Sequence, residues 1–159
     1  MKVVYKPIGV IHSTFNNLEE MPIQPSSEAS KPGTVEIYSE FAEGLKDLEG
    51  FSHIYLIYHL HKMRQPRLLV TPFLDEAPHG IFATRAPSRP NPIGLSVVRI
   101  VSLEGNLIHV DQLDILNKTP LLDIKPYVPD FENVHSVRIG WLDQVKGRIR
   151  TQKSDDRFK

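Results

Sequence analysis

Two arginines, Arg85 and Arg89, stand in a stretch that also holds Pro87, Pro90, Pro92, Asn91 and Gly94 (residues 82–96, FATRAPSRPNPIGLS). The planar guanidinium fork matches a carboxylate or phosphate. Lys62, Arg64 and Arg67 add three cations just after a histidine-bearing stretch, so an anion or polar-cofactor pocket is the first chemistry suggested. A ligand with a carboxylate and an adenine would find Arg85, a histidine face and the main-chain groups of a proline-held loop. His59 and His61 suggest a second chemistry. With His53 or an acid such as Asp114 they would make a cupin-like metal site, though Lys62 and Arg64 next door oppose a cation. Further along, Asp114, Asn117 and Thr119 are turn formers that read as a corner between strands. Asp123, Lys125 and Tyr127 alternate onto one side of an extended run, where an acid and a cation can pair.

Each group needs an element to hold it. Proline fixes φ and removes a donor, and it pushes the preceding residue to extended geometry. Residues 86–92 therefore read as a stiff surface loop, either a ligand clamp or a plain crossover between strands. Residues 51–61 (FSHIYLIYHLH) read as a strand. Ile54, Leu56, Tyr58 and Leu60 share its core side; His53, Tyr55, Ile57, His59 and His61 share the other. On that side His59 and His61 lie about 6.6 Å apart.

The rest of the chain supplies more strands. Residues 3–13 read as an edge or bent strand, 16–33 as loop, and 34–38 as a short strand. Ser39 is placed to N-cap one short helix in which Phe41, Leu45 and Leu48 share a face, with Gly50 past its end. Residues 68–71 extend. Residues 95–103 and 107–116 flank Glu104-Gly105-Asn106, a hairpin turn with Gly105 supplying positive φ. Residues 121–128 are extended and 134–142 suggest a last strand. Residues 143–159 carry six cations against three acids and read as a polar, mobile tail. The expectation is one domain over residues 1–142, mainly β: a small antiparallel β-barrel with one short helix.

Lys+Arg and Asp+Glu both number 19, which gives no overall bias toward nucleic acid and leaves room for a local basic patch. Cysteine is absent, which excludes disulfides, thiolate catalysis and cysteine-type zinc sites. No apolar run approaches the roughly 20 residues of a membrane span, so a cytoplasmic protein is expected. A dinucleotide-binding G-x-G-x-x-G after a strand, Walker patterns and G-x-S-x-G are likewise missing.

In order along the chain, PIGVIHS, MPIQP, FSHIYLIYHLH, GIFATRAPSRPNPIGLS and DILNKTPLLDIKPYVP resemble the TrmO (TsaA-like, also called YaeB) family, across roughly residues 5–142. The resemblance implies a β-barrel methyltransferase that binds S-adenosylmethionine without a Rossmann fold and works as a homodimer. The implied reaction is N6-methylation of threonylcarbamoyladenosine beside a tRNA anticodon. By motif match the implied cofactor contacts are Ile23, Gln24, Pro25, His61, Lys62, Arg85 and Leu95, with Asp111, Gln112, Leu113 and Asp114. The corner at residues 117–120 is the alternative to that last group. If a base is needed, Asp114 is the first candidate. Tyr55, Tyr58 or Tyr127 could stack on an anticodon-loop base. No metal and no membrane partner are implied. Competing readings are a non-enzymatic barrel that binds an adenosyl ligand, and the cupin-like metal enzyme. The family corner reads Asp-Gly-Thr-Pro, whereas Asn117 and Lys118 stand here, and Lys62 replaces a frequent Gln.

Overall fold

β-Branched and aliphatic residues alternate with polar ones through most of the extended runs, and the computed structural model closes them into a barrel; it describes residues 1–21 and 31–145. The barrel strands are β1 (Gly9–His12), β2 (Lys31–Ile37), β3 (His53–His59), β6 (Ile93–Glu104), β7 (Leu107–Leu113) and β8 (Thr119–Pro126). They pair in the order β1-β2-β7-β6-β3-β8 and back to β1, every pair antiparallel. Two short strands, β4 (Leu69–Val70) and β5 (His79–Gly80), form a separate ladder in the excursion between β3 and β6.

Alternation decides which side chains fill the barrel. Ile11, Val35, Ile54, Leu56, Val98, Ile108, Val110, Leu113 and Leu121 are all at most 1% exposed. Burying each such side chain contributes about 1.5–3 kcal/mol. A two-residue turn joins β6 to β7, with Gly105 at φ 61°. Glycine at that first central position matches the right-handed strand twist. Pro32 sits where the β2–β7 register shifts, the kind of irregularity that tolerates a missing donor. Strand β2 thus begins at Lys31, earlier than the loop reading of residues 16–33 allowed.

Two expectations are corrected. The helix after β2 is not an α-helix capped by Ser39. Ser39–Leu45 is a 3-10 helix preceded by Tyr38 with no side-chain cap, and Leu48–Gly50 is a second 3-10 turn beyond left-handed Asp47. Gly44 weakens helix propagation, while Phe41, Leu45 and Leu48 still reach the core. Residues 134–142 do not form a strand. The closed barrel leaves no edge for a further strand to join. That stretch follows α1 (Pro129–Glu132) and leads into the 3-10 helix Gly140–Val145. The tail reading began at Asp143; residues 143–145 belong to that helix, and 146–159 lie outside the described residues.

Candidate cofactor site

At one mouth of the barrel β3 ends, β6 begins, β7 ends and the corner into β8 turns back. A cleft of about 320 Å³, counted with the open solvent at its mouth, lies there. Its walls are Tyr58, Leu60, His61, Lys62, Met63 and Pro87 on one side. Leu18, Met21, Ile115, Leu116 and Thr119 form the rest. The lining is mostly apolar with few polar groups, the usual character of a small-molecule site.

Below that lining is a buried polar chain. Tyr58 lies directly opposite Gly94 in the β3–β6 ladder, and a Cβ at Gly94 would overlap the Tyr58 ring. Glycine here lets the ring lie across the strand toward Ser96. The Tyr58 hydroxyl is 3.0 Å from Ser96 Oγ, which itself donates to Asp114 Oδ1 at 2.7 Å. Because the Ser96 proton goes to Asp114, the Tyr58 hydroxyl is the donor to Ser96. The three residues are 7%, 3% and 7% exposed. Burial pushes the Asp114 carboxyl from 3.8 up to about 7, against the opposing pull of the Ser96 hydrogen bond, its own backbone N–H and the Arg85 charge. Tyr58 is also raised, first by burial and then by Asp114.

His61 leaves the strand and turns into the cleft. Thr119 Oγ1 donates to Leu116 O at 2.7 Å, so the contact of 3.3 Å between Thr119 Oγ1 and His61 Nδ1 has the ring nitrogen as donor. Nε2 of the neutral ring is then a bare acceptor. Burial, then Lys62 and His59, lower the His61 pKa, which favours that neutral form. His59 stays on the strand's outer, exposed side. The two histidines therefore do not share a face, which corrects the reading behind a metal pair; no group of three ligating side chains occurs among the described residues.

The proline loop separates its two arginines by role. Arg89 Nη1 donates to the carbonyls of Thr84 at 2.9 Å, Ile81 at 3.2 Å and Ala86 at 3.3 Å. Arg89 is thus an internal clamp. Arg85 is exposed, and among the described residues its guanidinium has no hydrogen-bond or ion-pair partner. Its charge acts on Asp114, Tyr58 and Tyr55. Arg85, Arg64 and Arg67 are all exposed and outside the cleft lining.

The remaining expected contacts fall in several places. Leu95 pairs with Ile57 on the outer face and is 48% exposed. Asp111 is held at 2.8 Å by Arg99, Gln112 is left-handed at φ 63°, and Leu113 is core. The cleft wall contains Thr119 from the corner at residues 117–120 and none of Asp111, Gln112, Leu113 and Asp114, although Ile115 and Leu116 between the two groups do line it. Ile23, Gln24 and Pro25 lie outside the described residues. On the outer face Asp123 and Lys125 pair at 2.9 Å, as their alternation suggested. Tyr55 and Tyr127 lie 5.6 Å apart beside His53. Burial, followed by Glu132, raises Tyr55 to about 12. Ser96 escaped the sequence reading, although Gly94 inside a strand signalled a close approach nearby.

Residues 10–133 match the sequence model of the tRNA-methyltransferase O N-terminal domain. The chain belongs to this family. A Pyrococcus abyssi relative named as a probable S-adenosyl-L-methionine-binding protein is 52% identical over 158 residues, 99% of this chain and 86% of its own. The tRNA (adenine(37)-N6)-methyltransferase of Rattus norvegicus is 34% identical over 135 residues, 80% of this chain and 31% of its own. A crystal structure of TrmO from Pseudomonas aeruginosa superposes with a TM-score of 0.73 at 37% identity, over 89% of this chain and 63% of that one. This TrmO-family barrel thus spans under two thirds of the crystallised chain and under a third of the rat protein. Its matched stretch contains the cleft walls from Tyr58 to Thr119, the proline loop and Asp114, and it ends before Trp141.

Proposed function

We propose that this chain is an S-adenosylmethionine-dependent methyltransferase acting on N6 of adenine in tRNA, with threonylcarbamoyladenosine beside the anticodon as its substrate. Family membership and the relatives' names support the coarser part; the threonylcarbamoyl group is our extension. The residues present fit the cofactor. The apolar walls Leu60, Ile115 and Leu116 suit an adenosyl group, and the bare His61 Nε2 can accept a hydrogen bond from it. Arg85, with no partner among the described residues, suits the carboxylate. S-adenosylmethionine supplies an electrophilic methyl group and leaves as a neutral thioether. The chain's own contribution is orientation and exclusion of water, together with a base to take the N6 proton. Asp114 fills that role. Its hydrogen bonds from Ser96 and from its own backbone N–H hold the carboxylate in place just below the cleft wall. Tyr55 and Tyr127 offer stacking surfaces for an exposed base, whereas Tyr58 is buried and structural. Exposed Leu68, Leu69 and Phe82 near the proline loop support the expected homodimer.

The observation that carries this reading is a buried carboxyl, poised near neutrality, at the mouth of a barrel and within the field of an arginine that has no ion-pair partner among the described residues. The test is methylation of tRNA bearing threonylcarbamoyladenosine, read by mass spectrometry of the digested nucleosides. Cofactor binding without labelled nucleoside would favour a non-enzymatic adenosyl-binding barrel instead. The pH dependence is specific. The rate should rise through about pH 7 as Asp114 ionises, and Asp114→Asn should abolish that rise while keeping cofactor affinity. Stability should run the other way. The folded chain holds the Asp114 proton more tightly than the unfolded chain. This group's contribution is therefore full below pH 3.8 and lost as pH climbs to about 7. An Asn variant whose pH–rate profile still rises at the same place would eliminate Asp114 as the base.

A further inference from the structure

The loop that carries Arg85 is held from two directions, and one of them comes from outside the family-matched stretch. Arg89 takes the carbonyls of Ile81, Thr84 and Ala86 from within the loop. The carbonyl of Ala83 instead accepts a hydrogen bond of 2.8 Å from Trp141 Nε1, 58 residues further along the chain. The Trp141 indole also stacks on His79, with centroids 4.5 Å apart and planes 19° from parallel. His79 in turn lies 2.9 Å from Asp75 Oδ2, and its backbone pairs with Val70 in the small β4–β5 ladder. The assembly Asp75–His79–Trp141 thus ties the 3-10 helix Gly140–Val145 to the base of the proline loop.

We propose that Trp141 is a positioning residue for Arg85, a C-terminal latch that sets the loop's approach to the cofactor cleft. This rests on the reading of Arg85 as a cofactor contact. The argument is one of constraint. Arg85 has no side-chain anchor among the described residues, so its position follows the main chain on either side. Carbonyls 84 and 86 are fixed by Arg89 and carbonyl 83 by Trp141. Releasing carbonyl 83 removes the tie that comes from Trp141 and loosens the segment entering Arg85, while leaving the Arg89 clamp and the barrel untouched. A looser loop must be ordered when the ligand arrives, which weakens binding without altering the groups that touch it.

The test compares the full chain with its Trp141→Phe and Arg85→Ala variants, using calorimetric titration with S-adenosylmethionine and thermal unfolding. Phenylalanine keeps a ring on His79 and removes only the donor. The latch predicts a Kd about fivefold weaker for Trp141→Phe, the effect of losing one ordinary hydrogen bond, with the melting temperature retained. Trp141→Ala, which also removes the stack, should weaken binding at least as much and lower the melting temperature. An unchanged Kd in Trp141→Phe, alongside a weakened Arg85→Ala, would overturn the latch and leave the cofactor site standing. Trp141→Phe losing affinity only in step with its melting temperature would overturn positioning in favour of plain packing. An unaffected Arg85→Ala would overturn the cofactor role of Arg85 itself, and the latch with it.

Discussion

The barrel and the excursion between β3 and β6 are built on different principles. In the barrel, every strand has two hydrogen-bonded neighbours and a continuous set of inward aliphatic side chains. The excursion has a two-residue ladder and a small cluster around Val70 and Ile81, with Met63, Phe73 and Ala86 packed beside it. Its shape depends on side chains that reach main-chain carbonyls, Arg89 and Trp141 above all. The barrel is therefore redundant and the excursion is not. Arg85 and the cleft residues Lys62, Met63 and Pro87 belong to the part held by few contacts. Such a segment can be moved by a single change.

Substituting one residue in each region sharpens the contrast. Ile108 is fully buried among the inward side chains of β7. Ile108→Ala should cost about 2–5 kcal/mol in denaturant unfolding, since the closed barrel cannot collapse around the cavity. The unfolding transition should stay cooperative, and loss of less than about 1 kcal/mol would mean that the core is looser than its burial indicates. Arg89→Ala acts on the excursion. It orphans the carbonyls of Thr84 and Ala86 and should cost about 1–3 kcal/mol. The more telling result is where that cost falls. Hydrogen exchange should speed up in residues 79–92 while the barrel strands stay protected, and S-adenosylmethionine affinity should fall. Uniformly faster exchange would show that the two regions do not differ in the way proposed.

This division also explains what could be read in the sequence. The barrel was legible because inward and outward positions alternate: Ile54, Leu56 and Tyr58 went to the core as their spacing implied. Gly105 marked its hairpin turn for the same local reason. The helix after β2 misled because its apolar spacing fits an α-helix, whereas Gly44 and left-handed Asp47 break it into tighter turns. The expected last strand failed on topology, since no residue in 134–142 announces that the sheet is already closed. At the cleft, His61 lines the wall, while Arg85 stands exposed on the proline loop, outside the lining. The difference between Arg85 and Arg89 was not legible, because it depends on which carbonyls lie within reach. Nor was the Tyr58–Ser96–Asp114 chain, which needs the register that sets Tyr58 against Gly94.

The smallest effect concerns the corner that lines the cleft. Lys118 occupies the place where the resembled family carries glycine, and it keeps the left-handed conformation at φ 61°. Asn117 makes this tolerable. Its Oδ1 accepts from Lys118 N at 3.0 Å and from Ser13 N at 3.2 Å, while its amide donates to Asn16 at 3.1 Å. A non-glycine residue in that region costs about 1–2 kcal/mol, and glycine loses about 0.4–1 kcal/mol through greater freedom when unfolded. Lys118→Gly should therefore stabilise the chain by about 0.5–1 kcal/mol, read as a rise in the denaturant midpoint at unchanged slope. Cofactor affinity should not change, because the corner already holds the geometry that glycine would adopt. A destabilised Gly variant would show that the Lys118 side chain contributes more at this corner than its backbone strain costs.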